Sequence, residues 1–105
     1  MVELLTGDER RVMLAELEQS GWTYLDEKDS IAKSFKFKNF IEALGWLVEV
    51  GLISEKLNHH PEIHNVYNRV RLTLTTHSAK GLTNLDVRLA KRIDKLRTSP
   101  DQTGV

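Results

Sequence analysis

Ile63-His64-Asn65-Val66-Tyr67-Asn68-Arg69-Val70-Arg71-Leu72-Thr73-Leu74-Thr75-Thr76 reads as two strands folded back on each other. Residues 63–67 and 70–76 are rich in β-branched and aromatic side chains, which suit a pleated sheet. Asn68-Arg69 reads as the turn between them. In the second strand Val70, Leu72 and Leu74 point one way, and Arg71, Thr73 and Thr75 point the other. His77 follows on the polar side if the strand runs that far. A strand pair with one apolar face needs an apolar layer to cover it.

The flanking sequence supplies that layer. Upstream, Asn39 and Glu42 form a cap-like pair, and Phe40, Ala43, Leu44, Leu47, Val50 and Gly51 recur at helical spacing. This helix must stop before His60, because the residue preceding a proline, here Pro61, is pushed out of the α region. Downstream, Gly81 breaks the chain, and Thr83 with Asp86 opens a last helix carrying Val87, Leu89, Ala90, Ile93 and Leu96. At the other end, Thr6 and Glu9 read as a capping box for a helix over 7–19, closed by Ser20-Gly21. Residues 22–25 and 31–37 form a second strand pair around a polar turn, with Ile31, Phe35 and Phe37 at period two. Trp22, Phe35, Phe37, Phe40 and Trp46 are core candidates, and Lys33, Lys36 and Lys38 read as a solvated sheet face. The order is α-β-β-α-β-β-α. Strands that arrive in adjacent pairs favour an antiparallel sheet with helices on one face, the α+β class. Residues 1–97 are expected to form a single domain and 98–105 a frayed tail.

The composition excludes several functions. The chain has 105 residues, which fits one domain, and its 15 basic residues balance 15 acidic ones. That balance argues against a nucleic-acid binder or an anionic-membrane partner. With no cysteine, disulfides, thiolate zinc sites, iron–sulfur clusters and cysteine nucleophiles are ruled out. The first 18 residues are interrupted by Glu3, Asp8, Glu9, Arg10 and Arg11 and lack the apolar block of a signal peptide. No apolar run is long enough to span a bilayer, and the expected compartment is cytoplasmic.

Chemistry concentrates in the histidines. Three of the four lie in His59-His60-Pro61-Glu62-Ile63-His64, and hairpin pairing would bring His77 back toward His59 and His60. Imidazole both gives and takes protons near neutrality, so two histidines could serve as acid and base. Adjacent residues in extended chain point opposite ways, so His59 and His60 should have different jobs. Two plainer readings stay open: surface histidines favoured by a helix dipole, and a three-histidine zinc site built from His59 or His60, His64 and His77. Thr75, Thr76 and Ser78 flank His77 and could offer hydroxyls to a polar heterocycle, or serve only as sheet residues. Glu55, one turn before the histidines, could orient an imidazole. Gly81-Leu82-Thr83-x-x-Asp86 reads as a turn and helix cap, since no Lys-Ser/Thr pair follows to make a phosphate loop.

The runs Glu55-Lys56-Leu57-Asn58-His59-His60-Pro61-Glu62, Asn65-Val66-Tyr67-Asn68-Arg69-Val70, Thr75-Thr76-His77 and Gly81-Leu82-Thr83-x-x-Asp86-x-x-Leu89-Ala90 together resemble the signature of the pterin-4a-carbinolamine dehydratases. Gly21-Trp22 and Phe35-x-Phe37-Lys38-x-Phe40 match that pattern upstream. The resemblance implies a four-stranded antiparallel sheet with three helices on one face. It implies dehydration of 4a-hydroxytetrahydropterin to quinonoid dihydropterin, in tetrahydrobiopterin recycling, with no metal or organic cofactor. By the same resemblance His59 and His77 are the acid/base pair, His60 binds and orients the pterin, and Thr75, Thr76 and Ser78 line its pocket. Asn58, Glu55 and Asp86 complete the expected substrate-binding set. Asn58 stands where many members carry Asp, and Ile63 where some carry Trp. His64 lies outside the pattern. Animal members also act as coactivators on the dimerisation helices of a homeodomain transcription factor, which keeps a protein-binding role as an alternative. A homodimer or homotetramer is expected. Its contacts would be an adhesive sheet edge within 66–74 and the apolar Leu89, Ile93 and Leu96 of the last helix.

Overall fold

Pairing of the central hairpin sets the frame of the molecule. In the computed structural model, which describes residues 3–96, β3 (Glu62–Val66) and β4 (Arg69–Leu74) run antiparallel, with Glu62 opposite Thr73 and Val66 opposite Arg69. The turn is Tyr67-Asn68, one residue earlier than expected. Tyr67 takes a left-handed φ of 51°, and the Asn68 side-chain amide donates to the Phe37 carbonyl at 2.8 Å, which leaves Arg69 free to begin β4. β4 pairs on its other side with β2 (Ser30–Lys36), Ile31 opposite Leu74 and Lys36 opposite Arg69. β2 in turn pairs with β1 (Thr23–Leu25).

The strand order is therefore β1-β2-β4-β3, all antiparallel. β4 is interior, so the adhesive edge expected within 66–74 reduces to the β3 side of the hairpin. The tail expected at 98–105 lies outside the described residues.

Three helices, α1 (Gly7–Gln19), α2 (Phe40–Leu57) and α3 (Asn84–Asp94), cover the face that carries Ile31, Phe35, Val70, Leu72 and Leu74, all buried. This is the expected α+β architecture in the expected order. Trp46 of α2 closes the layer, with its ring 4.5 Å from Phe35 and 5.2 Å from Phe37. Burying each such aromatic contributes roughly 1.5–3 kcal/mol. Among the described residues no helix is long and apolar enough to cross a membrane.

Local expectations divide by how far each depends on packing. Asn39 caps α2, accepting from the Glu42 N–H at 2.9 Å, and α3 opens with a complete capping box between Thr83 and Asp86. Thr6 makes no such bond, and Gly7 enters α1 in a left-handed conformation at φ 63°. Lys33 is not on the solvated face. It shares the inward side with Ile31 and Phe35, is 5% exposed, and donates to Asp94 at 2.8 Å and to the Ser20 carbonyl at 2.6 Å.

Phe40 also departs from its expected place: it is 42% exposed. α2 is apolar nearly all round, so periodicity alone could not choose its inner side. Ala43, Trp46 and Val50 face the core, while Ile41, Leu44, Val48 and Leu52 face out. Conversely Leu89 and Ile93 of α3 are buried at 0% and 1%, and half-buried Leu96 packs against the same core. The last helix therefore has no free apolar face to offer a second copy.

Candidate active site

The site begins where α2 ends. Helices commonly close on a left-handed residue that lets the chain reverse, and Asn tolerates that conformation better than most. Asn58 takes it here (φ 52°, ψ 43°), and the His59 N–H then donates to the Ser54 carbonyl at 3.0 Å. Asn58 itself is exposed, and its visible job is this cap. The reversal sends His59 inward, to 9% exposure, and His60 outward. Two adjacent histidines thus end on opposite sides of the chain, as extended geometry requires.

His59 Nε2–H donates to Asp86 Oδ1 at 2.6 Å. Asp86 is fully buried, and its other oxygen accepts from the Thr76 hydroxyl (2.8 Å) and the Thr83 N–H (2.9 Å). The Thr83 hydroxyl completes the cluster at 2.7 Å from Thr76. One carboxyl therefore closes the N-terminus of α3, holds the residue before His77, and orients His59. A proton fixed on Nε2 leaves Nδ1 with the free lone pair of the neutral ring. Thr83 and Asp86, which form the helix cap, thus also connect to His59 and Thr76.

His60 Nε2–H donates to Glu55 Oε2 at 2.5 Å, one helical turn back, with both groups exposed. His77 does not continue β4. The strand ends at Leu74, and His77 opens a 3-10 turn (His77–Ala79) with its ring exposed and Nε2 4.0 Å from Glu62 Oε2. Pairing in the hairpin does bring His77 back to the segment that follows His60, but the residue it meets is Glu62.

Among the described residues no three of His, Asp and Glu gather in a way that would hold a metal ion, so the three-histidine zinc arrangement is not formed. Ser78 is exposed beside His77. Thr75 is turned away, its hydroxyl donating to the Lys28 and Asp29 carbonyls at 3.2 and 3.0 Å. Thr75, Thr76 and Asp86, expected to touch a ligand, are buried and hydrogen-bonded inside the protein.

A second polar cluster braces the loop that carries Thr83 and Asp86. Asp29, at the β1–β2 turn, receives Arg10, the Tyr24 hydroxyl (2.9 Å) and the Leu82 N–H (3.1 Å). The Leu5 N–H donates to the Leu82 carbonyl at 2.9 Å, tying the N-terminal segment to the same loop. Gly81 permits the approach: a Cβ there would lie 2.4 Å from Asp29 Oδ2. Partial burial by itself would raise the Asp29 carboxyl. The hydrogen bonds from Arg10, Leu82 and Tyr24, with the Arg10 charge, outweigh it and hold the group below the usual carboxylate range.

The model of the pterin 4 alpha carbinolamine dehydratase family matches residues 3–96. The chain belongs to the pterin-4-alpha-carbinolamine dehydratase family. A relative from Ruegeria pomeroyi that carries a provisional pterin-4-alpha-carbinolamine dehydratase name is 47% identical over 96 residues, covering 91% of this chain and 99% of its own length. A second, from Rhizobium johnstonii and similarly named, is 54% identical over 88 residues, covering 83% of this chain and 87% of its own. The crystal structure of a transcriptional coactivator/pterin dehydratase from Brucella melitensis superposes with a TM-score of 0.79 at 43% identity, covering 88% of this chain and 96% of that one. A pterin dehydratase-like protein described as a RuBisCO assembly factor shares the fold, with a TM-score of 0.61 at 23% identity over 70% of this chain and 86% of its own.

Within this dehydratase-family chain, sequence reasoning missed two things. The partnership of Asp86 with His59 joins residues 27 apart and was hidden because Asp86 already had a local explanation as a cap. Glu62, though within the signature run, receives no role from the sequence, yet strand register sets it opposite Thr73, at the end of the hairpin nearest His77.

Proposed function

We propose that this protein dehydrates 4a-hydroxytetrahydropterins to quinonoid dihydropterin and water by histidine acid/base catalysis, in tetrahydrobiopterin recycling in the cytoplasm. The observation that carries the reading is the buried His59–Asp86 pair, anchored to the residue next to His77. In the reaction the N5 lone pair expels the C4a hydroxyl, forming the N5=C4a double bond. The hydroxyl leaves as water with a proton from an acid, and a base takes the N5 proton. His59, with its N–H spent on Asp86, has Nδ1 to accept that proton. His77 is exposed beside Glu62, where it can draw protons from solvent and act as the acid. His60, held by Glu55, orients the pterin. Asp86 is a positioning residue acting through His59. Family membership and the relatives' names support the reading. Stopped-flow dehydration of synthetic 4a-hydroxytetrahydrobiopterin tests it: catalysis lowered about 10²–10⁴-fold in His59→Ala is expected, and a rate equal to the uncatalysed one with wild-type protein would refute it.

We further propose a homo-oligomer, dimer or tetramer, joined through the outer face of α2. Ile41, Leu44, Val48 and Leu52 repeat at helical spacing there, and Gly45 leaves open space beside them for close helix approach.

A further inference from the structure

The open face of the sheet carries charge that the acid/base chemistry does not use. Strand register stacks its outward side chains in rows. The first row, next to His77, holds Glu62 and Thr73. The second holds His64, Arg71 and Ser34. The third holds Val66, Arg69 and Lys36. Rows two residues apart are separated by about 7 Å. Glu62 is the one carboxyl in these rows, against Lys36, Arg69 and Arg71, in a chain whose charges balance overall. Among the described residues none of these three cations is in an ion pair. The two arginines are exposed, and a groove of about 780 Å³ runs over Ser34, Lys36, His64, Val66, Arg69 and Arg71.

We propose that this strip selects 4a-hydroxytetrahydropterins whose C6 side chain is anionic. The inference rests on the dehydratase reading above. C6 adjoins N5, the atom whose proton is removed, so a C6 side chain starts at the histidines and can run outward. Beyond Glu62, which repels an anion close to the ring, a negative group about 7 Å out meets Arg71 and His64. One about 14 Å out meets Arg69 and Lys36. Guanidinium groups bind carboxylate or phosphate through paired N–H donors. A neutral dihydroxypropyl chain can hydrogen-bond there but gains no charge–charge attraction from either row. His64, which the family signature does not include, has a role in this arrangement.

The test compares kcat/KM for three synthetic 4a-hydroxytetrahydropterins: a neutral dihydroxypropyl chain, the same chain as a phosphate monoester, and a longer chain ending in glutamate. Equilibrium titration with the unreactive 7,8-dihydropterins bearing the same side chains gives the comparison without turnover. The expected result is a preference for an anionic chain of at least about tenfold at low salt. It should shrink as ionic strength rises and fall to about one in Arg69→Ala/Arg71→Ala. Loss of the preference in Arg71→Ala alone, with the phosphate ester favoured, identifies the short phosphorylated chain. Dependence on both arginines, with the glutamate chain favoured, identifies the longer one. Equal values for neutral and anionic chains in both measurements overturn the proposal and leave the dehydratase reading standing. Anion-selective binding with no turnover of any substrate supports the strip and overturns the dehydratase reading.

Discussion

At the scale of the residue, His59, His60 and His77 are distinguished by their partners. His59 is buried against a carboxyl, His60 is exposed against another, and His77 stands exposed 4.0 Å from a third. If His59 and His77 move the two protons, His59→Ala and His77→Ala should each lower turnover about 10²–10⁴-fold while remaining folded. Stopped-flow rates and circular dichroism check this, and activity within a few-fold of wild type would remove the assignment. His60→Ala should raise KM more than it lowers kcat; the reverse pattern would move His60 into the chemistry. Asp86→Asn separates positioning from folding. It keeps the shape of the carboxyl but can present an amide N–H to His59 Nε2, reversing the ring tautomer. Turnover should fall as far as it does in His77→Ala, and nitrogen NMR of His59 should show the proton shifted to Nδ1. An unchanged tautomer with unchanged turnover would show that Asp86 serves α3 alone.

At the scale of the element, two threonine caps look alike in sequence and differ in what packs on them. Thr83 is buried and bonded inside the Asp86 cluster, whereas Thr6 is exposed and makes no cap bond. Thr83→Ala should cost about 1–2 kcal/mol and Thr6→Ala a few tenths at most, measured as shifts in urea midpoint. The Asp29 cluster links the β1–β2 turn, α1 and the loop before α3, and its loss should loosen the site indirectly. The carboxyl is held below its unfolded value of about 3.9, so its stabilisation is fully present above that pH. It is lost as pH falls through the lowered folded value. Asp29→Asn should therefore destabilise at pH 7 by about 1–3 kcal/mol. The gap between wild type and variant should begin to narrow only below about pH 4 and close as pH falls through the lowered folded value. A constant difference across that range in urea titrations would mean that the Asp29 charge is not what stabilises the cluster.

At the scale of the whole molecule, the exposed side of α2 and the β3 edge are two of the surfaces left uncovered once the core is closed. Ile41, Val48 and Leu52 are 71%, 58% and 66% exposed, a run of apolar side chains that water disfavours. Sedimentation equilibrium at micromolar concentration should find a dimer or tetramer of the 12.0 kDa chain. Val48→Glu/Leu52→Glu should shift it to monomer without loss of secondary structure. A wild-type monomer at every concentration would refute self-association. A wild-type oligomer untouched by the double variant would move the contact away from α2, to a sheet edge.

What the amino-acid sequence determined by itself is whatever depends on neighbours along the chain. The order of helices and strands, the Asn39 and Thr83-Asp86 caps and the alternation of Val70, Leu72 and Leu74 follow from periodicity and capping, which act within a few residues. The histidine cluster was legible for the same reason, since three of its members are nearly contiguous. Tertiary structure alone decided which side of a largely apolar α2 is buried, because several faces satisfy the same helical period. It decided that Lys33 turns inward to Asp94, a partner 61 residues away. It also joined His59 to Asp86 across 27 residues, brought Glu62 to 4.0 Å from His77 and set Lys36 opposite Arg69. Such contacts depend on strand order and register, which the packing of helices on the sheet selects and no local pattern records.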